Sequence, residues 1–555
     1  MHEPVALTLP PGPTVADIAR HLDHELGLTA GPEGRLRRTW YDTADWRLYR
    51  AGLVLEHEEV DAEPPAPPAF LRVRRLGHLV PVAEVPLERV PGRAEDLPGR
   101  VADLLAGPAA KRALLEHCRA EGSVRILRLL DGEAKTVLRV ILGQDVATSL
   151  EERPAAAPGL AVALGERGER EAAASTVTLA PSLVVAPVRG HDAEFDGVLS
   201  RLGRSLGSQP APDPLVAAAS AVGIEPGVDP SRFAVAVPAD ASAAEAVRLL
   251  VGRLLRIMVV NERGVRDDLD TEFLHDFRVA VRRARSIVKA AEGVIPEERR
   301  TWLADELRWL GQETTPVRDL DVTIEELEGP NPALDPWRAD LAPVHDLFAL
   351  RRAESFAELV EALSGERYRR FVAESRRFVA SEWGDPDEDA VAFVQRRVHK
   401  AHRKVVRLGR GATTSEDWHE VRKAAKKLRY LVEGFRALLP AGETADAVSS
   451  LKRFQEVLGA MQDSVVHVDQ ARWAAGVLIE RGAAPAQFLA TGALIEQQLA
   501  GGRNAYARCE ERFGRFAGKK SRHHFERLWQ RAGESLPEMD DGASGGDGPA
   551  PAAGP

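Results

Sequence analysis

Cysteine, methionine and tyrosine are scarce in this chain of 555 residues, at two, four and five copies. Two cysteines, Cys118 and Cys509, cannot build a disulfide framework or a cysteine-rich zinc site, so both are expected to be buried thiols. Aromatic residues make up 5% of the sequence, a poor supply of the stacking surfaces that bind nucleic-acid bases. No apolar run approaches the ~20 residues a membrane-spanning helix needs. The start, Met1-His2-Glu3-Pro4, lacks the basic-then-apolar form of a secretory signal. A cytoplasmic location without membrane contact is therefore expected. Positive charge is not in excess either: 74 Lys and Arg stand against 84 Asp and Glu, a net charge of −10. That argues against a globally basic nucleic-acid binder, but local patches decide binding. What remains is 44% hydrophobic and 28% charged, a globular balance, with length for about three or four domains.

Residues 1 to about 206 alternate short apolar runs with turn residues. Val5 to Leu9 is a candidate strand closed by Pro10-Pro11-Gly12, and Thr14 to Leu26 reads as a helix with Thr14 as N-cap. Further strands are expected at Leu36 to Tyr41, Leu53 to Glu59, Phe70 to Arg75 and Val80 to Leu87. Leu129 to Val140 forms a hairpin through Gly132. Strands follow at Thr176 to Leu179 and Leu183 to Val188. Val101 to Cys118 and Ala193 to Leu206 read as helices. The result is an α+β domain dominated by an antiparallel sheet. Residues 207–240, rich in proline, read as a linker with a short helix near Leu215 to Val222. From Ala241 to about residue 536 the apolar period is 3.6. Residues 537–555 are Gly, Ala, Pro and Asp, too polar to order themselves.

Within the helical half one pattern occurs twice. His275-Asp276-Phe277-Arg278-Val279-Ala280-Val281-Arg282-Arg283-Ala284-Arg285 returns as His419-Glu420-Val421-Arg422-Lys423-Ala424-Ala425-Lys426-Lys427-Leu428-Arg429. Each begins with His and carries bases at +3, +7, +8 and +10. On a helix, positions 0, +3, +7 and +10 fall within an arc of roughly 80°. A constant offset superposes the two combs, together with Leu307 on Leu451 and Asp319 on Asp463, without a gap. Such self-similarity implies two copies of one structural unit, with halves at about 241–385 and 386–536, each expected to be a four-helix element. The opposite face of each comb is apolar: Phe277, Ala280, Val281, Ala284, Ile287 and Val288, then Val421, Ala424, Ala425, Leu428, Leu431, Val432 and Phe435. If both basic faces line one groove, guanidinium forks and lysines would meet phosphate oxygens there. A long row of cations suits a polyanion, and its binding should weaken steeply with salt.

The repeated pattern resembles the CHAD domain, the conserved-histidine α-helical domain. The matching pieces are His275-x2-Arg278-x3-Arg282-Arg283-x-Arg285 with Pro316-Val317-Arg318-Asp319-Leu320-Asp321. In the second half they are Trp418-His419 through Arg429-Tyr430 with Leu458-Gly459-Ala460-Met461-Gln462-Asp463. The resemblance covers about residues 240 to 535. It implies two pseudo-symmetric four-helix bundles lining a basic channel for inorganic polyphosphate. Carried over, the binding residues are His275, Arg278, Arg282, Arg283, Arg285, His419, Arg422, Lys423, Lys426, Lys427 and Arg429. Asp319 and Asp463 would hold comb cations in place. Arg253, Arg256, Arg397, Lys400, Arg403 and Lys404, on the helices preceding the combs, are further candidate anion contacts.

Tyr41-Asp42-Thr43 through Gly52-Leu53-Val54-Leu55 resembles the CYTH, or triphosphate tunnel, fold, as do Leu127 to Val137 and Pro187-Val188-Arg189-Gly190. The resemblance implies an antiparallel β-barrel over residues 1–206. Active members open with Glu-x-Glu-x-Lys, whose carboxylates hold a divalent metal. Here His2, Pro4 and Ala6 occupy those places, with Glu3 out of register. The following strand reads Glu56-His57-Glu58-Glu59, the wrong charge for triphosphate, although Arg72, Arg74, Arg128, Lys135 and Arg139 could still line a tunnel. The expectation is a multidomain, non-enzymatic polyphosphate binder with a degenerate N-terminal domain, no cofactor and no metal, associated with polyphosphate granules. The alternatives are a metal-dependent triphosphatase and nucleic-acid binding by the basic groove.

Overall fold

The computed structural model describes residues 2–61, 69–150, 176–381 and 388–529; the C-terminal segment expected to be unstructured lies outside them. The N-terminal part contains strands β1 (Val5–Thr8), β2 (Thr29–Asp42), β3 (Leu53–Asp61), β4 (Phe70–Arg75), β5 (Pro81–Pro86), β6 (Leu115–Leu130), β7 (Thr136–Ser149), β8 (Thr176–Thr178), β9 (Ser182–Pro187) and β10 (Gln209–Pro210). They form one antiparallel sheet in the order β10-β1-β9-β7-β6-β2-β3-β4-β5, with β8 beside β7. Helices α1 (Val15–Leu26), α2 (Arg47–Arg50), α3 (Gly99–Leu105), α4 (Asp192–Leu206) and α5 (Pro214–Ala221) accompany it. Thr14 caps α1 through a reciprocal capping box with Asp17, as its position before an apolar-periodic run predicts.

Side-chain alternation along the strands sends opposite residues to opposite faces. Helices α1 and α4 bury Ile18, Leu22, Phe195 and Leu202 against Leu127, Leu138, Val140 and Leu183. The other face receives α5: Leu215, Ala218 and Ala219 pack on Trp40, Val54, Cys118, Ala120 and Ala147. The expected linker helix is therefore part of the domain, plugging one face of its sheet. Asp213 caps α5 at Leu215 N and accepts from Arg74 on β4 at 2.6 and 2.9 Å. Because Asp213 follows β10 at one end of the strand order and β4 lies beside the other, the sheet curls until its two edges meet through side chains. The helix expected over Val101 to Cys118 is a correction: helix α3 ends at Leu105, and Leu115 already begins β6. Pairing of β6 with both β2 and β7 overrides the local helical preference.

The C-terminal part is helical among the described residues: α6 (Ala243–Arg266), α7 (Thr271–Ala290), α8 (Glu297–Glu313), α9 (Thr315–Glu328), α10 (Arg338–Ser364), α11 (Glu366–Ala380), α12 (Ala390–Arg410), α13 (Ser415–Gly434), α14 (Ala441–Glu480), α15 (Pro485–Ala517) and α16 (Lys519–Trp529). Among the described residues the halves thus hold six and five helices rather than four apiece. The sequence offset of 144 (419 minus 275) carries helix ends onto helix ends: Arg266 onto Arg410, Thr271 onto Ser415, Ala290 onto Gly434 and Glu297 onto Ala441. Where α14 runs unbroken, the first copy is split at Thr314 into α8 and α9, with Pro316 in the first turn of α9. A proline there lacks the N–H a continuous helix would use. Both halves contribute to one core, in which every apolar residue named above on the two comb helices is buried. A second core joins Leu320, Val344, Phe348, Ala474 and Leu494.

Candidate functional site

The two combs occupy the equivalent helices α7 and α13. Asp270 caps α7 by accepting from Glu272 N and Phe273 N, and Thr414 caps α13 in a capping box with Asp417. The helices pack directly on each other; a Cβ added at Gly434 would stand 3.2 Å from Ile287. This packing brings the basic faces together. Glu433 accepts from Arg283 at 3.2 Å and pairs with Arg429 at 3.7 Å, one carboxylate between the two combs.

The heart of the site joins Arg278, Arg282, Arg422 and Lys426. Burial, then Arg422 and Arg282, brings Lys426 down to about 7. Burial, then Arg282, lowers Arg278 to about 10. Arg422 is lowered by burial and by Arg282, against the pull of Asp463, whose carboxylate is 3.6 Å away. Like charges held together out of water lower one another's proton affinity in this way. The two expected supports differ. Asp463 contacts Arg422, whereas Arg278 donates to the hydroxyls of Thr314 and Thr315, each at 3.0 Å, and Asp319 acts on Arg278 and Arg282 without a contact ion pair among the described residues. Burial raises the Asp319 carboxyl.

The two histidines sit in different company. His419 Nδ1 is hydrogen-bonded to Gln462 Oε1. The offset puts Arg318 where Gln462 stands, and burial together with the Arg318 charge lowers the pKa of His275. Among the described residues, Arg318 has a buried N–H without a protein acceptor, as do Arg283, Arg285, Arg397 and Arg422.

A second group of cations continues from the C-terminal end of α7. Lys427 is lowered by burial, then by Lys404, Lys289, Arg397 and Lys400. Arg285 is lowered by burial and by Arg308. Lys289, Arg308 and Arg318 are additions that the comb spacing did not single out. Lys289 continues the stripe one turn beyond Arg285, and that signal was available in the sequence. The remaining candidates are spread out. Lys423 pairs with Glu420 on its own helix. Arg253 donates to the carbonyls of Pro230 and Arg232, which ties it to the segment before α6. Arg256 is half-buried on α6, and Arg403 is exposed on α12.

The charges of the sheet domain are arranged otherwise. Arg72 lies 2.5 Å from both Glu58 and Glu84. Buried Arg74 is held by Glu56 and Asp213, Arg38 by Glu58 at 3.6 Å and Arg37 by Glu59 and Glu121. The acidic run on β3 thus neutralises the arginines of its neighbours. Arg128, Lys135 and Arg139 do not join this ladder: Lys135 pairs with Glu133 in the β6–β7 turn, and Arg128 and Arg139 are paired neighbours across β6 and β7. The domains meet at Arg112, which touches Asp45 at 3.4 Å, Asp270 at 3.1 Å and Asp276 at 3.6 Å, beside the first comb.

No helix is long and apolar enough to cross a membrane among the described residues. Residues 249–472 match the family model described as the CHAD domain. Two uncharacterized proteins from two strains of Mycobacterium tuberculosis are each 30% identical over 243 residues, 40% of this chain and 44% of theirs. The chain therefore spans less than half the length of these relatives. Among solved structures, the CHAD domain from the plant Ricinus communis is similar at 26% identity and a TM-score of 0.44, over 51% of this chain and 95% of that one. PptA from Streptomyces chartreusis is similar at 16% identity and a TM-score of 0.40, over 49% of this chain and 97% of its own.

Proposed function

Residues 249–472 are a CHAD domain, and on that footing we propose that the protein binds inorganic polyphosphate, without hydrolysing it, on the basic face shared by α7 and α13. The observation that carries this reading is the crowding of Arg282, Arg422 and Lys426, close enough to drive Lys426 to about 7. Assembling such a cluster costs free energy that a bound polyanion returns. A row of phosphates matches it better than a single phosphate because the cations extend from His275 to Lys289 and across to α12. The guanidinium groups of Arg282 and Arg422 are donors suited to phosphoryl oxygens.

The sheet domain is read as a degenerate CYTH-like fold serving as scaffold. Arg37, Arg38, Arg72 and Arg74 are matched by carboxylates, and α5 covers the face that carries Arg72 and Arg74. The two helical halves are read as pseudo-symmetric bundles, and a cytoplasmic place at polyphosphate granules accompanies the reading. Scarce aromatics beside the combs disfavour nucleic acid.

The test is titration of the full chain with long-chain polyphosphate at two salt concentrations, beside the Arg422→Glu/Lys426→Glu variant. Log affinity should fall linearly with log salt, and the variant should bind at least about tenfold more weakly with a shallower slope. A folded variant with unchanged affinity and slope would refute the reading. A control titration with RNA at the same salt separates the nucleic-acid alternative.

A further inference from the structure

The Arg-rich stretch Tyr368 to Arg377 belongs to neither comb. It forms α11, which lies against α6. A cleft of about 430 Å³ opens between them, lined by Glu262 and Arg266 of α6 and by Arg369 and Arg376 of α11 over Leu363, Val372 and Ala373. No comb residue takes part in it.

The charges of this cleft are graded. Glu262 is engaged on both sides, accepting from the buried Tyr368 hydroxyl at 3.1 Å and from Arg266 at 3.2 Å. Among the described residues Arg369 has only Glu366, 3.3 Å away and largely exposed, and a pair of that kind contributes little. Arg376 lies near enough to Tyr368 to act on it electrostatically, yet makes no ion pair among the described residues. Three guanidinium groups against one carboxylate leave the lining at a formal +2. Other arginines of the stretch are committed elsewhere: Arg367 to Glu306 at 2.9 Å and the Trp309 ring at 4.3 Å, and Arg377 to Glu374 at 2.5 Å.

We propose that the cleft between α6 and α11 is a separate binding site for a small organic phosphate ester. A phosphate monoester dianion matches the +2 lining, and guanidinium forks fit its oxygens bidentately. Val372 and Ala373 offer the apolar surface on which the ester's organic body rests. Small-ligand sites combine an apolar lining with a few fixed polar groups in this way. A polyphosphate chain, which has no apolar part and needs a row of cations, suits the combs instead.

Isothermal titration of the full chain with phenyl phosphate tests the assignment, with phenol and inorganic phosphate as the two partial ligands. Phenyl phosphate should saturate at one site and bind more tightly than either. Arg376→Glu should weaken it by about tenfold or more, the loss of a charge-assisted contact, while polyphosphate affinity stays as in the parent. Arg422→Glu should do the reverse. Arg369→Glu provides a second reading if Arg376→Glu is poorly folded. Phenyl phosphate binding that survives both cleft variants, that disappears with Arg422→Glu, or that does not saturate in the millimolar range overturns the proposal. The failure of polyphosphate binding alone would leave it standing.

Discussion

Arg283 on the first comb lies 3.2 Å from the carboxylate of Glu433 on the second. Two cationic helices that would otherwise repel are joined by that one acid, which also pairs with Arg429. The pairing has two opposed consequences. It holds α7 against α13, and it removes negative-charge demand from the face proposed to take polyphosphate. Glu433→Gln keeps the shape and deletes the charge. It should lower stability by about 1 kcal/mol, the upper range for a partly exposed pair, and raise polyphosphate affinity severalfold. Thermal melting and a polyphosphate titration at fixed salt measure the two effects. A variant that binds more weakly would show that Glu433 organises ligand donors and does not compete with the ligand.

Lys426 should make the proposed polyphosphate binding sensitive to pH. Its pKa falls from 10.5 to about 7 through burial and the charges of Arg422, Arg282 and Arg429, with Asp463 opposing. Between these values the unfolded chain holds the proton that the folded chain has released, so this group's contribution to stability rises with pH across that window. A polyanion reverses the field and restores the proton. Affinity should therefore fall as pH climbs from about 6 to about 9, with protons taken up on binding. Lys426→Arg, charged throughout, should flatten the profile. Titrations in two buffers of different ionisation heat count the protons, and an uptake of zero would contradict the assignment.

Much of this face was legible in the sequence because its determinants are local. Period and N-caps place α7 and α13, and the constant offset predicts equivalent helix ends as well as equivalent residues. Polar contacts at long range were not legible. Arg112 and Asp270 are 158 residues apart, Arg74 and Asp213 139 apart, and no spacing rule links them. Arg318 was visible inside a matched motif, yet its partner at the offset is Gln462, so the repeat concealed its charge. Val101 to Cys118 failed as a helix because strand pairing across β2, β6 and β7 decides that stretch, and pairing is set by distant sequence.

Arg112 couples the sheet domain to the start of the first comb. It is 3% exposed, stacks over Phe273 at 5.2 Å and faces Asp45, Asp270 and Asp276 together. Removing it leaves buried carboxylates uncompensated, so Arg112→Ala should cost about 3–5 kcal/mol. Burial already raises the Asp276 carboxyl to about 6, with Arg112 opposing that rise. A carboxyl raised in the folded state loses stability as pH rises through the interval from its unfolded to its folded pKa. Without Arg112 that interval extends upward. The variant's deficit in melting temperature should therefore shrink on going from about pH 7.5 to about pH 5.5. A deficit independent of pH would mean that lost packing on Phe273, not charge, explains the effect.

The sheet domain gives the last expectation. Triphosphate hydrolysis on such a sheet requires free cations for the phosphates and free carboxylates for a metal. Arg72 is not free for phosphate, nor Glu58 and Glu84 for a metal, because the two acids clasp the arginine, and Glu58 is shared further with Arg38. Arg74, 1% exposed, is closed off by Glu56 and by Asp213 at the head of α5. Binding triphosphate would require breaking these pairs and lifting Leu215, Ala218 and Ala219 off Trp40 and Val54. Disrupting buried pairs of this kind costs about 3–5 kcal/mol. The 555-residue chain with magnesium or manganese should accordingly release no phosphate from tripolyphosphate above the level of a heat-treated control. Asp213→Ala should lower the melting temperature without creating the activity. Metal-dependent release that disappears in Glu58→Gln or Glu84→Gln would show instead that these carboxylates exchange their arginines for a metal, and the domain would have to be counted an enzyme.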